Sequence, residues 1–275
     1  MDEIWIQVFI FIFGLAIGSF LNVCIYRIPR SDMSISSPRR SFCPACNQTI
    51  KFYDNIPLLS YLLLRGKCRN CSAKISSLYP IVELVTAVLF LVVFYRLEKT
   101  FDLNLIYALI FVTLLIPIAV IDAQHYIIPN VISLTGLVLG LGIVSAIAYQ
   151  RGSIDYLRTG LIGFVVGGLV IWLVVFIGSA VMRKKAMGMG DVKLMAIIGL
   201  FLGVWQEPTW WQSIIMVIAL SAFSGAVIGT LLIVTGRKSR QSPIPYGPFL
   251  AGAAIVVMLW GYPLWEKYLQ LAGWN

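Results

Sequence analysis

The sequence predicts an all-α polytopic membrane protein with about eight transmembrane helices and one small polar subdomain between the first two. Its residues are 59% hydrophobic and only 12% charged, whereas soluble domains carry about 25% charged residues. The apolar residues form runs of about 17–25, the length at which a helix spans a bilayer. One long polar segment carries four of the five cysteines.

The predicted spans follow one another along the chain. They cover residues 4–25, 79–95, 103–122, 130–149, 159–182, 191–206, 213–235 and 246–265, and the sixth is the shortest. Each run is continuously apolar and does not alternate as a barrel strand does, so helices are the expected form. Because Asp2 and Glu3 precede the first run and no basic residue does, we expect a retained helix and not a cleaved signal peptide.

Basic residues orient these spans. Segment 26–78 holds nine of them, and the segments after the fifth and seventh spans hold three each. These residues are Arg27, Arg30, Arg39, Arg40, Lys51, Arg65, Lys67, Arg69 and Lys74, then Arg183, Lys184 and Lys185, then Arg237, Lys238 and Arg240. The alternate segments hold two or none, so the positive-inside rule predicts cytoplasmic basic loops and periplasmic termini. Topology thus explains the net charge of +9, and we expect membrane lipids and no nucleic acid as partners.

Four cysteines form two Cys-x-x-Cys pairs in segment 26–78. The pairs are Cys43 with Cys46 and Cys68 with Cys71, and 21 residues separate them. This spacing is typical of a four-thiolate zinc site, whereas disulfides or redox thiols are the alternative in a less reducing compartment. With no open ligand position the metal is expected to be structural, so the subdomain is predicted to be a small zinc-binding cytoplasmic loop.

Two aspartates lie at the membrane edge of predicted spans. Asp122 ends the third span, and Asp191 begins the sixth in Gly188-Met189-Gly190-Asp191. The charge count places both at the cytoplasmic face, where two carboxylates can share one proton and activate one water, as in aspartic proteases. An N-cap role for Asp191 and an interfacial role for Asp122 are the alternatives. Gly188 and Gly190 are expected to permit unusual backbone dihedrals beside the acid.

These motifs make the chain resemble the bacterial type IV prepilin peptidases, the leader peptidases and N-methyltransferases of the GxGD aspartic protease class. The matching stretches are residues 18–23, 26–29, 43–46, 54–57, 66–68, 75–83, 122 with 128–129, 188–194, and 245–251. The resemblance implies a pilin-like precursor as substrate, with a basic leader followed by a hydrophobic helix. It also implies a bacterial inner-membrane location and catalysis by Asp122 and Asp191, with Gly188 and Gly190 beside them.

The resemblance further implies methylation of the new N-terminus with S-adenosylmethionine. The sequence contains no glycine-rich nucleotide loop or Rossmann pattern, and Glu83 is our candidate cofactor-binding residue, an intramembrane polar contact being its alternative. We expect a first helix at 1–25, a zinc loop with a methyltransferase role at 26–78 and a peptidase core at 79–275. Two other functions stay open: a peptidase without methylation, and a transporter or assembly scaffold with a structural zinc loop.

Overall fold

The structure is a computed structural model that describes residues 2–182, 188–205, 208–239 and 242–273. It divides into two compact units, Met1–Thr100 (unit 1) and Phe101–Asn275 (unit 2). Across these described ranges the chain is helical and forms no strand, only isolated β-bridges in unit 1. Four basic residues used for orientation, and the end of the predicted sixth span at 206, lie outside the described residues. These basic residues are Arg183, Lys184, Lys185 and Arg240.

The helices agree closely with the predicted spans. Those of the described ranges are α1 (Asp2–Arg27), α2 (Leu59–Leu63), α3 (Leu78–Arg96), α4 (Leu103–His125), α5 (Asn130–Gln150), α6 (Asp155–Met182), α7 (Met189–Leu202), α8 (Trp210–Val234) and α9 (Gly247–Leu271). Seven of them, all but α2 and α7, are long and apolar enough to cross a membrane. The prediction of an all-α, multi-pass membrane protein is therefore confirmed.

The predicted sixth span is the short helix α7. It has 14 residues and is about 21 Å long at 1.5 Å per residue, which is less than the roughly 30 Å of a bilayer's hydrocarbon core. Every residue from Leu194 to Leu202 is buried. A continuously apolar run of this length fits a helix enclosed by protein, and α7 packs against α5, α6, α8 and α9.

Glycines bring α6 and α7 into backbone contact. A Cβ on Gly163 would collide with the carbonyl of Gly199, and a Cβ on Gly199 would collide with that of Gly163. Small residues at a helix interface permit this close approach. On the opposite side of α7, Phe201 stacks on Tyr107 and Phe111 of α4, with ring centroids 4.6 and 4.8 Å apart. These contacts fix α7 inside unit 2.

In unit 1, α1 and α3 pack along each other, and the chain between them forms the cysteine loop (residues 28–77). A Cβ on Gly18 would lie 2.7 Å from the Cα of Glu83, so the two backbones touch. At the end of α1 the buried guanidinium of Arg27 donates hydrogen bonds to the carbonyls of Ile35, Pro38 and Arg40, at 2.9, 2.7 and 3.3 Å. Arg27 thereby anchors the first part of the cysteine loop.

Candidate active site and metal centre

The cysteine loop brings its four thiols together. The Sγ atoms of Cys43, Cys46, Cys68 and Cys71 all lie within 4.8 Å of one another, and all four cysteines are free. The Sγ atoms of Cys43 and Cys71 are 3.8 Å apart, which equals the roughly 3.8 Å edge of a tetrahedron with 2.3 Å zinc–sulfur bonds. The donor set and spacing therefore fit a zinc ion.

The two Cys-x-x-Cys turns have the same backbone geometry. In each, the amide after the second cysteine donates to the carbonyl of the first: Asn47 to Cys43 at 2.8 Å, and Ser72 to Cys68 at 2.9 Å. Asn47 and Ser72 both take left-handed conformations, with φ of 56° and 59°. Backbone N–H groups of Cys71 and Asn70 lower the pKa of the Cys68 thiol to about 7. Cys68 thus favours the thiolate, which is the form that binds metal, whereas burial and the neighbouring thiols raise the pKa of Cys71 to about 11.

An ion pair joins the middle of the cysteine loop to its second turn. Arg69 donates to the carboxylate of Asp54 through Nε at 2.8 Å and through Nη2 at 2.6 Å. The hydrogen bonds from Arg69 lower the pKa of the Asp54 carboxyl. Because Asp54 belongs to a 3₁₀ turn, Phe52–Asn55, the pair holds this turn against the second cysteine pair.

In unit 2, the two aspartates lie at helix ends, and their charges interact. Asp122 is in the last turn of α4 and is 6% exposed, and Asp191 is in the first turn of α7 and is 8% exposed. The charge of Asp122 acts on Asp191. The N-cap of α7 is Gly188, so the N-cap alternative for Asp191 is wrong. Two buried carboxylates within electrostatic range are the arrangement that shares a proton.

A third segment, the start of α9, completes this site. The backbone N–H of Gly247 donates to Oδ2 of Asp122 at 2.8 Å. A Cβ on Gly247 would lie 2.7 Å from the same oxygen, so no side chain fits there while the carboxylate keeps its place. The backbone of Gly247 therefore donates a hydrogen bond to Asp122, and this position leaves no room for a side chain.

Tyr246, the residue before Gly247, is held by a hydrogen bond to α8. Its hydroxyl lies 2.6 Å from Oγ of Ser221, a fully buried serine. The single hydroxyl proton of Ser221 is directed at the carbonyl of Ile218, 3.0 Å away, so Tyr246 is the donor in this pair. Asp191 acts electrostatically on the same phenol. Tyr246 therefore links α8 to the loop that carries the donor for Asp122.

The two glycines before Asp191 do not take unusual dihedrals, which corrects our expectation. Gly188 is extended, with φ of −81°, and Gly190 belongs to α7. Close packing explains Gly190 instead, because its Cβ would lie 3.0 Å from the Cβ of Ile128. At Gly188 the nearest atom to an added Cβ is Oδ2 of Asp191, at an ordinary 3.8 Å.

Glu83 lies in unit 1 and is buried, at 8% exposed. Its Oε2 accepts a hydrogen bond from the N–H of Leu58 at 2.9 Å, and the Ser19 hydroxyl also bonds to its carboxyl group. Asn22, on the next turn of α1, donates to the carbonyl of Tyr79 at 3.0 Å. The start of α3 is thus tied to α1 and to the cysteine loop.

Comparison with known proteins identifies the family. The model of the bacterial peptidase A24 N-terminal domain matches residues 12–97, and that of the type IV leader peptidase family matches residues 109–230. A prepilin leader peptidase/N-methyltransferase of Myxococcus xanthus is 38% identical over 268 residues, which cover 95% of this chain and 75% of that protein. The chain belongs to the type IV leader peptidase family.

Further relatives of this leader peptidase family agree. Proteins with the same printed name from Aeromonas salmonicida and Pseudomonas aeruginosa are each 36% identical over 284 residues, which cover 95% of this chain and 93% of the relative. No solved structure matches the chain significantly. The family resemblance predicted from the motifs is confirmed.

The sequence did not point to Gly247 or Tyr246 as members of the site. They lie in the stretch 245–251, which contributes to the family resemblance. This stretch contains no pair of acidic residues and no cysteines or histidines that could bind a metal. The glycine between Tyr246 and Pro248 was the available signal, because a glycine at a helix start can mark a close backbone approach.

Proposed function

We propose that the chain removes the basic leader from type IV prepilin-like precursors and then methylates the new N-terminal amine. The observation that carries this proposal is the buried pair of Asp122 and Asp191, of which Asp122 accepts a hydrogen bond from the backbone of Gly247. The relatives named prepilin leader peptidase/N-methyltransferase support both activities. The substrate is a pilin-like precursor whose hydrophobic helix enters the bilayer beside unit 2.

Cleavage uses the two aspartates as a general acid and a general base. The ionised carboxylate takes a proton from a water molecule, whose oxygen attacks the scissile carbonyl carbon, and the protonated carboxyl stabilises the carbonyl oxygen. Collapse of the tetrahedral adduct breaks the C–N bond, and the amine leaves with a proton from the acid. Gly247 holds Asp122 in place, and Gly190 lets Ile128 pack beside the first turn of α7.

The membrane orientation follows from the charge count. The cysteine loop and the two aspartates lie on the cytoplasmic side of the bacterial inner membrane, and both termini lie in the periplasm. Large exposed apolar side chains on the seven long helices, such as Val165 and Phe223, contact lipid tails. This orientation brings the basic leader, which stays in the cytosol, to the aspartates.

The four cysteines hold a structural zinc ion. Their spacing supports this assignment, and with four thiolates no coordination position is left for a substrate. The ion closes the two similar turns into one folded loop.

Methyl transfer uses S-adenosylmethionine, and Glu83 is the residue proposed to contact it. When bound, this cofactor supplies a methyl group on a sulfonium. Glu83 would hold the cofactor, which would supply this methyl group to the new N-terminal amine.

A product-mass assay tests the proposal. Purified protein in detergent is mixed with a pilin-like precursor, with and without S-adenosylmethionine, and the products are analysed by mass spectrometry. We expect cleavage in both samples and one added methyl only with the cofactor. Cleavage that never adds a methyl supports a peptidase alone, and an intact precursor contradicts the proposal in favour of a transporter or scaffold.

A further inference from the structure

The short helix α2 carries three exposed leucines on one side. Leu59, Leu62 and Leu63 occupy positions i, i+3 and i+4, which lie on the same side of a helix. Leu62 is 70% exposed, Leu63 is 72% exposed and Leu59 is 49% exposed. We call these three side chains the leucine face. An exposed apolar cluster of this kind marks a surface that another molecule covers.

Hydrogen bonds hold α2 in place. The buried hydroxyl of Ser60 donates to the carbonyl of Tyr53 at 3.0 Å and accepts from the N–H of Ile56 at 3.0 Å. Directly before the helix, the N–H of Leu58 donates to the carboxylate of Glu83 in α3 at 2.9 Å. These bonds fix α2 against α3 and leave the leucine face outside.

The bond to Glu83 places α2 at the level of the membrane surface. The span α3 has 19 residues and is about 28 Å long at 1.5 Å per residue, which nearly equals the roughly 30 Å of a bilayer's hydrocarbon core. Its first residue, Leu78, therefore lies at the membrane boundary, and Glu83 lies about 7.5 Å further inside. Because Leu58 bonds to Glu83, α2 lies at the depth where interfacial helices bury their apolar faces, about 5–10 Å into this boundary.

Basic residues flank α2 on both sides. Lys51 comes before it, Arg65 and Lys67 follow it, and all three are exposed. In the part of the chain that the structure describes, the carboxylate of this loop that forms an ion pair does so with Arg69, so it does not neutralise these three cations. An apolar face between basic side chains complements a bilayer that contains anionic lipids. Charge and depth together favour a lipid surface over a protein partner.

We propose that the leucine face inserts into the interface of the membrane that α1 and α3 span, and that Arg65 and Lys67 bind the phosphates of anionic lipids. The membrane then holds the cysteine loop in addition to α1 and α3. This lipid contact goes beyond the proposed function, because it requires only that α1 and α3 cross a bilayer. It holds whether or not the chain cleaves or methylates a precursor.

Quenching of tryptophan fluorescence by brominated lipids tests the proposal on the zinc-loaded full chain in nanodiscs. Leu62→Trp adds a fluorophore to the leucine face, and Ser36→Trp adds one at an exposed position of the same loop. The emission of the wild type, which has eight tryptophans, is subtracted. We expect lipids brominated on their acyl chains to quench the fluorophore of Leu62→Trp, and aqueous iodide to quench that of Ser36→Trp.

Ser36 is the matched control because it lies outside the bilayer. Gly18 of α1 packs on Glu83, and Arg27 at the end of α1 lies about 13.5 Å further along that helix. Arg27 therefore lies about 6 Å outside the boundary at the start of α3. The carbonyls of Ile35 and Pro38, on either side of Ser36, accept hydrogen bonds from Arg27.

The same fluorophore measures which lipid binds. Brominated phosphatidylglycerol, which is anionic, and brominated phosphatidylcholine, which is zwitterionic, compete for the leucine face in mixed nanodiscs of Leu62→Trp. We expect a preference for the anionic lipid that falls about fivefold when either Arg65→Gln or Lys67→Gln is added, since each loses one cation near the anionic surface. Lys99→Gln removes a cation beyond the other end of α3 and should leave the preference unchanged.

Three results would overturn the proposal. Quenching of Leu62→Trp by iodide and not by lipid would place the leucine face in water, and protection from both quenchers would mean that protein covers it. Equal quenching by the two lipids would remove the role of the basic residues. If Leu62→Trp loses its zinc, Leu63→Trp repeats the measurement. Cleavage of a precursor, measured on the wild type in the same nanodiscs, tests the proposed function separately.

Discussion

The two units assemble their sites in opposite ways. In unit 1 the four thiols lie between Cys43 and Cys71, on two turns of the same local geometry. In unit 2 the site joins Asp122, Asp191 and Gly247 from three different helices, and the hydrogen bond of Gly247 to Asp122 spans 125 positions of the chain. A local site can be completed by a metal ion, whereas a long-range site depends on helix packing.

Removal of zinc is expected to have the largest effect. It should unfold the local site of unit 1 and leave the packing-dependent site of unit 2 folded. Structural zinc contributes about 10–16 kcal/mol in small zinc domains, so a chelator is expected to unfold much of the cysteine loop. Hydrogen exchange measures this at the amides of Asn47 and Ser72, which should lose protection while the amides of α7 keep theirs. Equal loss of protection in both units would refute the contrast.

Gly247→Ala tests the packing-dependent site. The added methyl group would lie 2.7 Å from Oδ2 of Asp122, and displacing a reacting group by about 1 Å can cost roughly a hundredfold in rate. We expect cleavage to slow by up to this factor while the thermal unfolding temperature changes little. Gly252→Ala on the same helix is the control, because no atom lies within 4 Å of its added Cβ. Matching cleavage rates in the two variants would mean that Asp122 does not need this contact.

Tyr246→Phe should have a smaller effect on the same site. It removes a hydrogen bond to Ser221, worth about 1 kcal/mol, so we expect kcat for cleavage to fall about fivefold with KM unchanged. Tyr107→Phe is the matched control, because it removes a buried phenol that donates to the carbonyl of Leu200 in the same unit. If both variants lower kcat equally, Tyr246 acts through stability and does not position Asp122.

Asp54→Asn gives the smallest expected effect, because its ion pair with Arg69 is partly exposed and screened. The pKa of Asp54 is lowered from 3.8, so its stabilisation is complete above that value and is lost as the pH falls through the lowered pKa. Hydrogen exchange in the cysteine loop should therefore show a small loss of protection that is the same at pH 6 and pH 8. A difference that shrinks between pH 8 and pH 6 would contradict this assignment.

The sequence predicts the local features of both sites. The cysteine spacing predicts the thiol cluster, and the charge alternation predicts that Asp122 and Asp191 share one end of the helices. The burial of α7 was missed because a continuously apolar run fits either lipid or protein surroundings. Gly247 was missed because its role depends on the packing of α9 against α4, which no local pattern encodes.

The central claim is that the aspartate pair performs the cleavage, and Asp→Asn variants test it most directly. Initial cleavage rates are measured by mass spectrometry for Asp122→Asn, Asp191→Asn and the control Asp102→Asn, which changes the N-cap at the other end of α4. Loss of an acid or base costs about a hundredfold or more, so the first two variants should be nearly inactive and the control active. Normal cleavage by either site variant would contradict the account.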